Sequence, residues 1–136
     1  VHHYGDRLLP GGVVIAAQQA GSDVDEVSHA ILTALWRDDL DIARPEVLEA
    51  VLRGAGIDPG PLLARALQPD VQAGLEACTA EAIERGVIGS PTYGVDGELF
   101  YGQDRLMFVE RHLARPFAPP GGARPLPPPA PPPAPG

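Results

Sequence analysis

The sequence predicts an α/β fold in which a block of helices leads into one β-hairpin and a closing helix. Two observations carry this expectation. Between Gly12 and Gly86, apolar residues recur at three- and four-residue spacing in several segments, each bounded by recognisable start and stop residues. After Gly86 the texture changes: "PTYGV" and "ELFY" flank Asp96-Gly97, a dipeptide that favours a tight hairpin turn between two β-prone runs. A two-stranded hairpin is marginally stable by itself, so these strands imply a sheet of which the chain supplies only part.

Each element has its own signals. Val13 to Ala17, preceded by Gly11-Gly12 and ended by Gly21, is a short helix or a buried strand, and periodicity does not separate the two. Ser22, followed by Asp25 and Glu26, resembles a capping box for a helix carrying Val24, Val27, Ile31 and Leu35 as far as Trp36, which reads as a packing residue. "RDDLDIARP" interrupts the pattern. Pro45 then suits the first turn of a helix striped with Val47, Leu48, Val51 and Leu52. Asp58-Pro59 repeats that start for a helix bearing Leu62, Leu63, Ala66 and Leu67, stopped by Gln68-Pro69. Asp70 is the expected cap of the next helix, whose inward face is Val71, Leu75, Cys78, Ala82 and Ile83. After the hairpin, Asp104 starts a last helix with Leu106, Val109 and Leu113 inward. From Pro116 to Gly136 eleven of 21 residues are proline, so residues 116–136 read as a disordered or polyproline tail outside the core.

Composition narrows the function classes. The net charge of −8, the absence of lysine and the scattered arginines leave no basic stripe to meet phosphates, which argues against nucleic acid. There is no apolar run long enough to span a membrane. The one cysteine, Cys78, excludes an internal disulfide framework or a CxxC redox pair within this chain and suits a cytoplasmic setting; on the apolar side of its helix it reads as a packed thiol. Asp38, Asp39 and Asp41 lack the glycine turn and the later glutamate of a calcium loop. His2, His3, His29 and His112 share no metal-ligand spacing beyond the adjacent terminal pair.

The residues with chemical promise lie at the two ends of the hairpin. Pro91 is either the first residue of an edge strand or the second residue of a cis Ser90-Pro91 bond that turns the preceding backbone N–H and C=O outward, where they suit strand-type pairing with a peptide-like ligand. Asp104 is either a helix cap or a carboxylate that accepts hydrogen bonds from a ligand's ammonium group, with Arg105 placed to bind a carboxylate or pair with a neighbouring acid. Together the two ends suggest a clamp for one zwitterionic peptide.

"ALWRDDLDIARPEVLEAVLRGAGID" followed by "GVIGSPTYGVDGELFYGQDR" resembles the C-terminal half of the 2-hydroxychromene-2-carboxylate isomerases, relatives of kappa-class glutathione transferases and of DsbA-like proteins in the thioredoxin-like superfamily. The resemblance runs from about Gly12 to Ala114 and is most specific in "DGELFYGQDR". It implies an incomplete thioredoxin-like fold of DsbA/kappa type: residues 1–115 as the C-terminal part, with a helical insertion over about 12–86 and the hairpin and last helix over about 87–115. The first β-α-β unit, with its catalytic serine, would then be absent. It also implies glutathione as cofactor, with Ser90 contacting the cysteinyl part through its main chain, Pro91 as the cis-proline, and Gln103, Asp104 and Arg105 at the γ-glutamyl end. Ser90 stands where the family usually has Val or Leu, and Gly94 departs by weakening the first strand.

The activity implied for an intact member is glutathione-dependent isomerisation of 2-hydroxychromene-2-carboxylate in aromatic catabolism, with a small aromatic molecule as substrate. This chain alone is expected to be inactive, and an open sheet edge is a place for a second copy to pair into a homodimer. Other readings are a kappa-class transferase fragment, a DsbA-like thiol-disulfide oxidoreductase, against which the lack of CxxC counts, and a non-catalytic scaffold whose "RPLPPPAPPPAP" recruits SH3- or WW-like domains.

Overall fold

A computed structural model describes residues 7–117. It contains, in order, α1 (Leu8–Ala20), α2 (Val24–Trp36), α3 (Pro45–Gly54), α4 (Pro59–Ala66), α5 (Pro69–Glu84), β1 (Thr92–Val95), β2 (Glu98–Tyr101), a 3-10 turn (Gln103–Arg105) and α6 (Leu106–Ala114). The chain divides after Gly86 into a helical unit and a hairpin unit. His2, His3, Tyr4 and the proline-rich segment beyond Phe117 lie outside the described residues.

The helical unit is built around α1, which packs against α2, α4 and α5. Its apolar residues are spread around the helix: Val13, Ala16 and Ala17 are fully or nearly fully buried, as a helix at the centre of a bundle requires. Leu48 and Leu52 from α3, Leu62 and Ala66 from α4, and Val27 and Ile31 from α2 complete the core. The ambiguous run after Gly12 is therefore the middle of a 13-residue helix that starts at Leu8. Two glycines lie inside it, and Gly12 is there because α1 and α4 approach so closely that a Cβ would stand 2.1 Å from the backbone oxygen of Ala66. The Gln72 side chain donates to that Ala66 oxygen at 2.6 Å and to the Leu8 oxygen at 3.2 Å. It thereby satisfies a carbonyl that the end of α4 leaves without an intrahelical partner.

The helix boundaries follow local chemistry. Asp58 accepts from the Gly60 N–H ahead of Pro59, and Pro45 opens α3, as fixed φ and a missing N–H favour in a first turn. At the end of α1, Gly21 adopts φ 68° and the Ser22 and Gly21 N–H groups reach back to the Ala17 and Gln18 carbonyls. At the end of α3 the Ile57 and Gly56 N–H groups bond the Leu52 and Arg53 carbonyls in the same way. Two caps differ from the sequence reading. Asp23, not Ser22, caps α2 by accepting from Glu26 N–H at 3.0 Å. Gln68 precedes α5 and Pro69 is its first residue, which places Asp70 inside the first turn, where it pairs with Arg65 at 2.5 Å.

The expected inward faces hold near α1 and fail away from it. In α5, Val71 is fully buried, Gly74 lies against Ile15 and Leu75 against Gly11. Gln72 already meets the first turn of α1, so the second half of α5 extends beyond that support. Cys78 is consequently exposed rather than packed, and Ile83 is 71% exposed. Trp36, expected in the packing, is 66% exposed at the end of α2. In the acidic loop, Asp38 pairs with Arg37 and Asp41 accepts from Ala43 N–H. No cluster of three or more metal-ligating side chains occurs among the described residues. No described helix is long and apolar enough to cross a membrane.

The hairpin unit pairs Thr92 with Tyr101, Tyr93 with Phe100, Gly94 with Leu99 and Val95 with Glu98 in antiparallel register. Asp96 and Gly97 both have positive φ, 50° and 84°, the backbone of a two-residue type I′ turn. Alternation puts Tyr93, Val95, Glu98 and Phe100 on one face and Thr92, Gly94, Leu99 and Tyr101 on the other. In α6 the inward residue is His112, 2% exposed, whereas Leu106 and Leu113 are 51% and 67% exposed. Val109 is half-buried as expected, so the predicted stripe holds at its middle and fails at its ends; the His112 ring packs between Phe100 and Phe117, with centroids at 5.6 and 5.4 Å.

Candidate functional site

The site lies wholly in the hairpin unit, where one main-chain contact joins the two ends of the hairpin. Beyond the last strand pair, the Gly102 N–H donates to the Pro91 carbonyl at 2.9 Å. This bond holds the Ser90-Pro91 loop beside the turn that contains Gln103, Asp104 and Arg105. The Ser90-Pro91 peptide is cis. The Thr92 hydroxyl donates to the Gly89 carbonyl at 2.5 Å and closes the loop locally. Tyr101 braces it from β2: a Cβ on Gly89 would stand 2.6 Å from the Tyr101 ring, so the ring lies directly against glycine backbone.

Among the described residues, neither the N–H nor the C=O of Ser90 has a backbone hydrogen-bond partner, and Ser90 is exposed. A donor and an acceptor on one exposed residue at the mouth of β1 can pair with the main chain of a short peptide. At the opposite end, Gly102 has φ 106°, a backbone closed to residues with a side chain, and a Cβ there would stand 2.5 Å from Asp104 Oδ1. The Asp104 carboxylate is thus folded over Gly102, with its Oδ2 3.6 Å from Arg105 Nε.

Asp104 caps no helix. The residues that precede the 3-10 turn and α6 are Gly102 and Arg105, and neither makes a side-chain cap. The carboxylate is drawn over Gly102 and toward Arg105, which leaves it 65% exposed and able to accept from a cationic group. Arg105 is 52% exposed at its side chain and rests 5.8 Å above the Phe108 ring, a contact that steadies the guanidinium without consuming its donors. Gln103 is exposed beside them. An exposed ion pair of this length is weak, so a ligand carrying both an ammonium and a carboxylate can replace it with two shorter charge-assisted bonds.

The five residues singled out from the sequence therefore fall on two segments linked by the Gly102–Pro91 bond. Sequence reasoning missed three residues that shape them: Gly89, Gly102 and Tyr101. The signal for the first two was a glycine at each hairpin edge, and nothing local pointed to Tyr101. None of the site residues carries a thiol. The helical unit has open grooves of its own, including one of about 540 Å³ between α2 and α3 lined by Ala34, Val47 and Val51, and one of about 490 Å³ lined by Pro10, Val14, Ile31 and Leu75. Their linings are apolar, and none of the five residues contributes to either.

A 2-hydroxychromene-2-carboxylate isomerase of Sphingobium xenophagum is 30% identical over 90 residues, which is 63% of this chain and 46% of that protein. The chain thus spans about half the length of the curated relative it matches. The DSBA-like thioredoxin domain family matches residues 10–114, a stretch that takes in all of α2 to α6 and both strands. The chain belongs to the DSBA-like thioredoxin domain family.

Proposed function

We propose that this chain carries part of the glutathione site of an isomerase of the 2-hydroxychromene-2-carboxylate type. The observation that carries the reading is the Gly102–Pro91 hydrogen bond, because it puts the free main chain of Ser90 next to the exposed charges of Asp104 and Arg105. The likeness to the Sphingobium isomerase supports the reaction class.

The residues fit a γ-linked peptide. Ser90 offers its N–H and C=O to the cysteinyl segment, Pro91 shapes the loop, and Asp104 accepts from the γ-glutamyl ammonium. Arg105 and Gln103 donate to the adjacent carboxylate. When bound, glutathione supplies a thiol that can add reversibly to an unsaturated carbon. The part played by this chain is to bind and orient: the clamp fixes both ends of the peptide and so limits where its thiol can point. Residues 1–115 then act as the C-terminal part of a DsbA-like domain, with the acid–base and thiol-activating groups supplied from outside the five residues described. A cytoplasmic setting accords with a lone, exposed thiol in the sequence.

Glutathione titration followed by ¹H–¹⁵N shifts tests this. Shifts confined to Gly89–Thr92 and Gly102–Arg105 are expected, with at least tenfold weaker binding for Asp104→Ala. Shifts elsewhere, or none at millimolar glutathione, would refute the reading. The chain alone is expected to bind without turning over 2-hydroxychromene-2-carboxylate; measurable isomerisation would place the chemistry within residues this reading treats as binding groups only.

A further inference from the structure

The least explained side chain outside the site is His112. It is 2% exposed, yet among the described residues its buried Nε2 has no hydrogen-bond partner. Its other nitrogen is used: the Phe117 N–H donates to Nδ1 at 3.2 Å. That bond requires an unprotonated Nδ1, so the ring here is neutral with its proton on Nε2. Buried polar groups without a partner cost free energy and are uncommon in native folds.

The surroundings show what a second proton would do. Asp96 Oδ2, from the hairpin turn, lies 3.7 Å from Nε2, too far for a hydrogen bond and within ion-pairing distance of a protonated ring. From the strands, Tyr93 and Glu98 share the sheet face that carries Phe100. From α6 itself, Arg111 lies 4.8 Å over the Phe117 ring. Adding a proton to Nδ1 sets two donors against each other, and the bond to Phe117 is lost. The same proton gives Nε2–H a charge to offer Asp96. Neutral ring and bound Phe117 belong to one state; charged ring and free Phe117 belong to the other.

We propose that His112 is a pH-operated latch that ties Phe117 to the hairpin and releases it on protonation. Among the described residues, Phe117 also meets the rings of Phe100 at 6.3 Å and His112, with Arg111 above it.

The test uses the full chain and the hydrogen exchange of the Phe117 amide, normalised at each pH for intrinsic exchange. Protection at about pH 8 is expected to fall at least tenfold by about pH 5, in step with the His112 ring resonances. His112→Asn, which keeps an acceptor near the Nδ1 position and does not titrate, should hold Phe117 protected at both pH values. Asp96→Asn, which suits the same positive-φ turn, should move the release to lower pH. Equal Phe117 protection at both pH values in the unaltered chain, or an unchanged step in His112→Asn, overturns the proposal. Should His112→Asn fail to fold, the unaltered chain and Asp96→Asn still decide it: a release unmoved by Asp96→Asn counts against the latch.

Discussion

Replacing Gly12 with alanine adds one methyl group where α1 meets the end of α4. The new Cβ would stand 2.1 Å from the backbone oxygen of Ala66 and 2.8 Å from Gln72 Nε2. Carbon and oxygen pack comfortably at about 3.5 Å, so α1 and α4 must separate by more than about 1 Å or the Ala66 carbonyl must turn. Turning it breaks the bond from Gln72, which also holds the Leu8 carbonyl. Overpacking of this kind costs about 1–3 kcal/mol and a lost buried hydrogen bond about 1 kcal/mol, while exchanging glycine for alanine inside a helix returns about 1 kcal/mol. The net expectation is a loss of about 2 kcal/mol. Urea unfolding followed by far-ultraviolet circular dichroism measures it, with Gly54→Ala as control because a Cβ at Gly54 meets nothing within 4 Å. Gly12→Ala should lower the midpoint and Gly54→Ala should leave it unchanged or raise it. A Gly12→Ala midpoint equal to that of the parent would show that the crossing is not close, and the account of α1 would fall with it.

Three further outcomes are expected. Leu48→Ala, at a fully buried position in the core, should cost about 2–5 kcal/mol, whereas Leu113→Ala, 67% exposed on α6, should change stability by less than about 0.5 kcal/mol in the same unfolding assay. Gly94→Ala should stabilise the hairpin unit by up to about 1 kcal/mol, because the added Cβ meets only Leu99 at an ordinary 3.6 Å and the strand loses a flexible residue; slower amide exchange across β1 and β2 reads this out. Asp38 is held below the usual carboxylate range by its hydrogen bonds from Arg37, and Glu46 by its own backbone N–H and then Arg44. A lowered folded value means stability that is present above the ordinary range and is lost as pH falls through the lowered one, so unfolding midpoints measured below about pH 4 should fall less steeply in an Asp38→Asn, Glu46→Gln variant. The slope difference should be small, since both groups are exposed.

Much of the architecture was decided by residues that act on their own neighbours. Pro45, Asp58-Pro59 and Asp96-Gly97 start helices and close the hairpin through backbone angles they impose or tolerate locally, and Gly21 and Gly56 end helices for the same reason. A linear reading can find such residues because the interaction is complete within a few positions. It also singled out five candidate residues, all of which sit at hairpin ends marked by proline, glycine and charge. What each of them does required distances across the fold: Asp104 had the composition of a cap, and only the lie of its carboxylate over Gly102 shows that it caps nothing and stays exposed. Burial was the least legible property. Cys78 and His112 both follow helical spacing, yet one is exposed because α5 outruns its contact with α1, and the other is enclosed because Phe100 and Phe117 close on it from separate elements. Gly12, which precedes the apolar run in the sequence reading, lies inside α1 where a Cβ would stand 2.1 Å from the Ala66 backbone oxygen. Sequence alone therefore determined where the chain turns and which chemical groups lie near those turns. Tertiary structure decided which faces are covered, because coverage depends on partners far along the chain and on how far each helix extends past its neighbour.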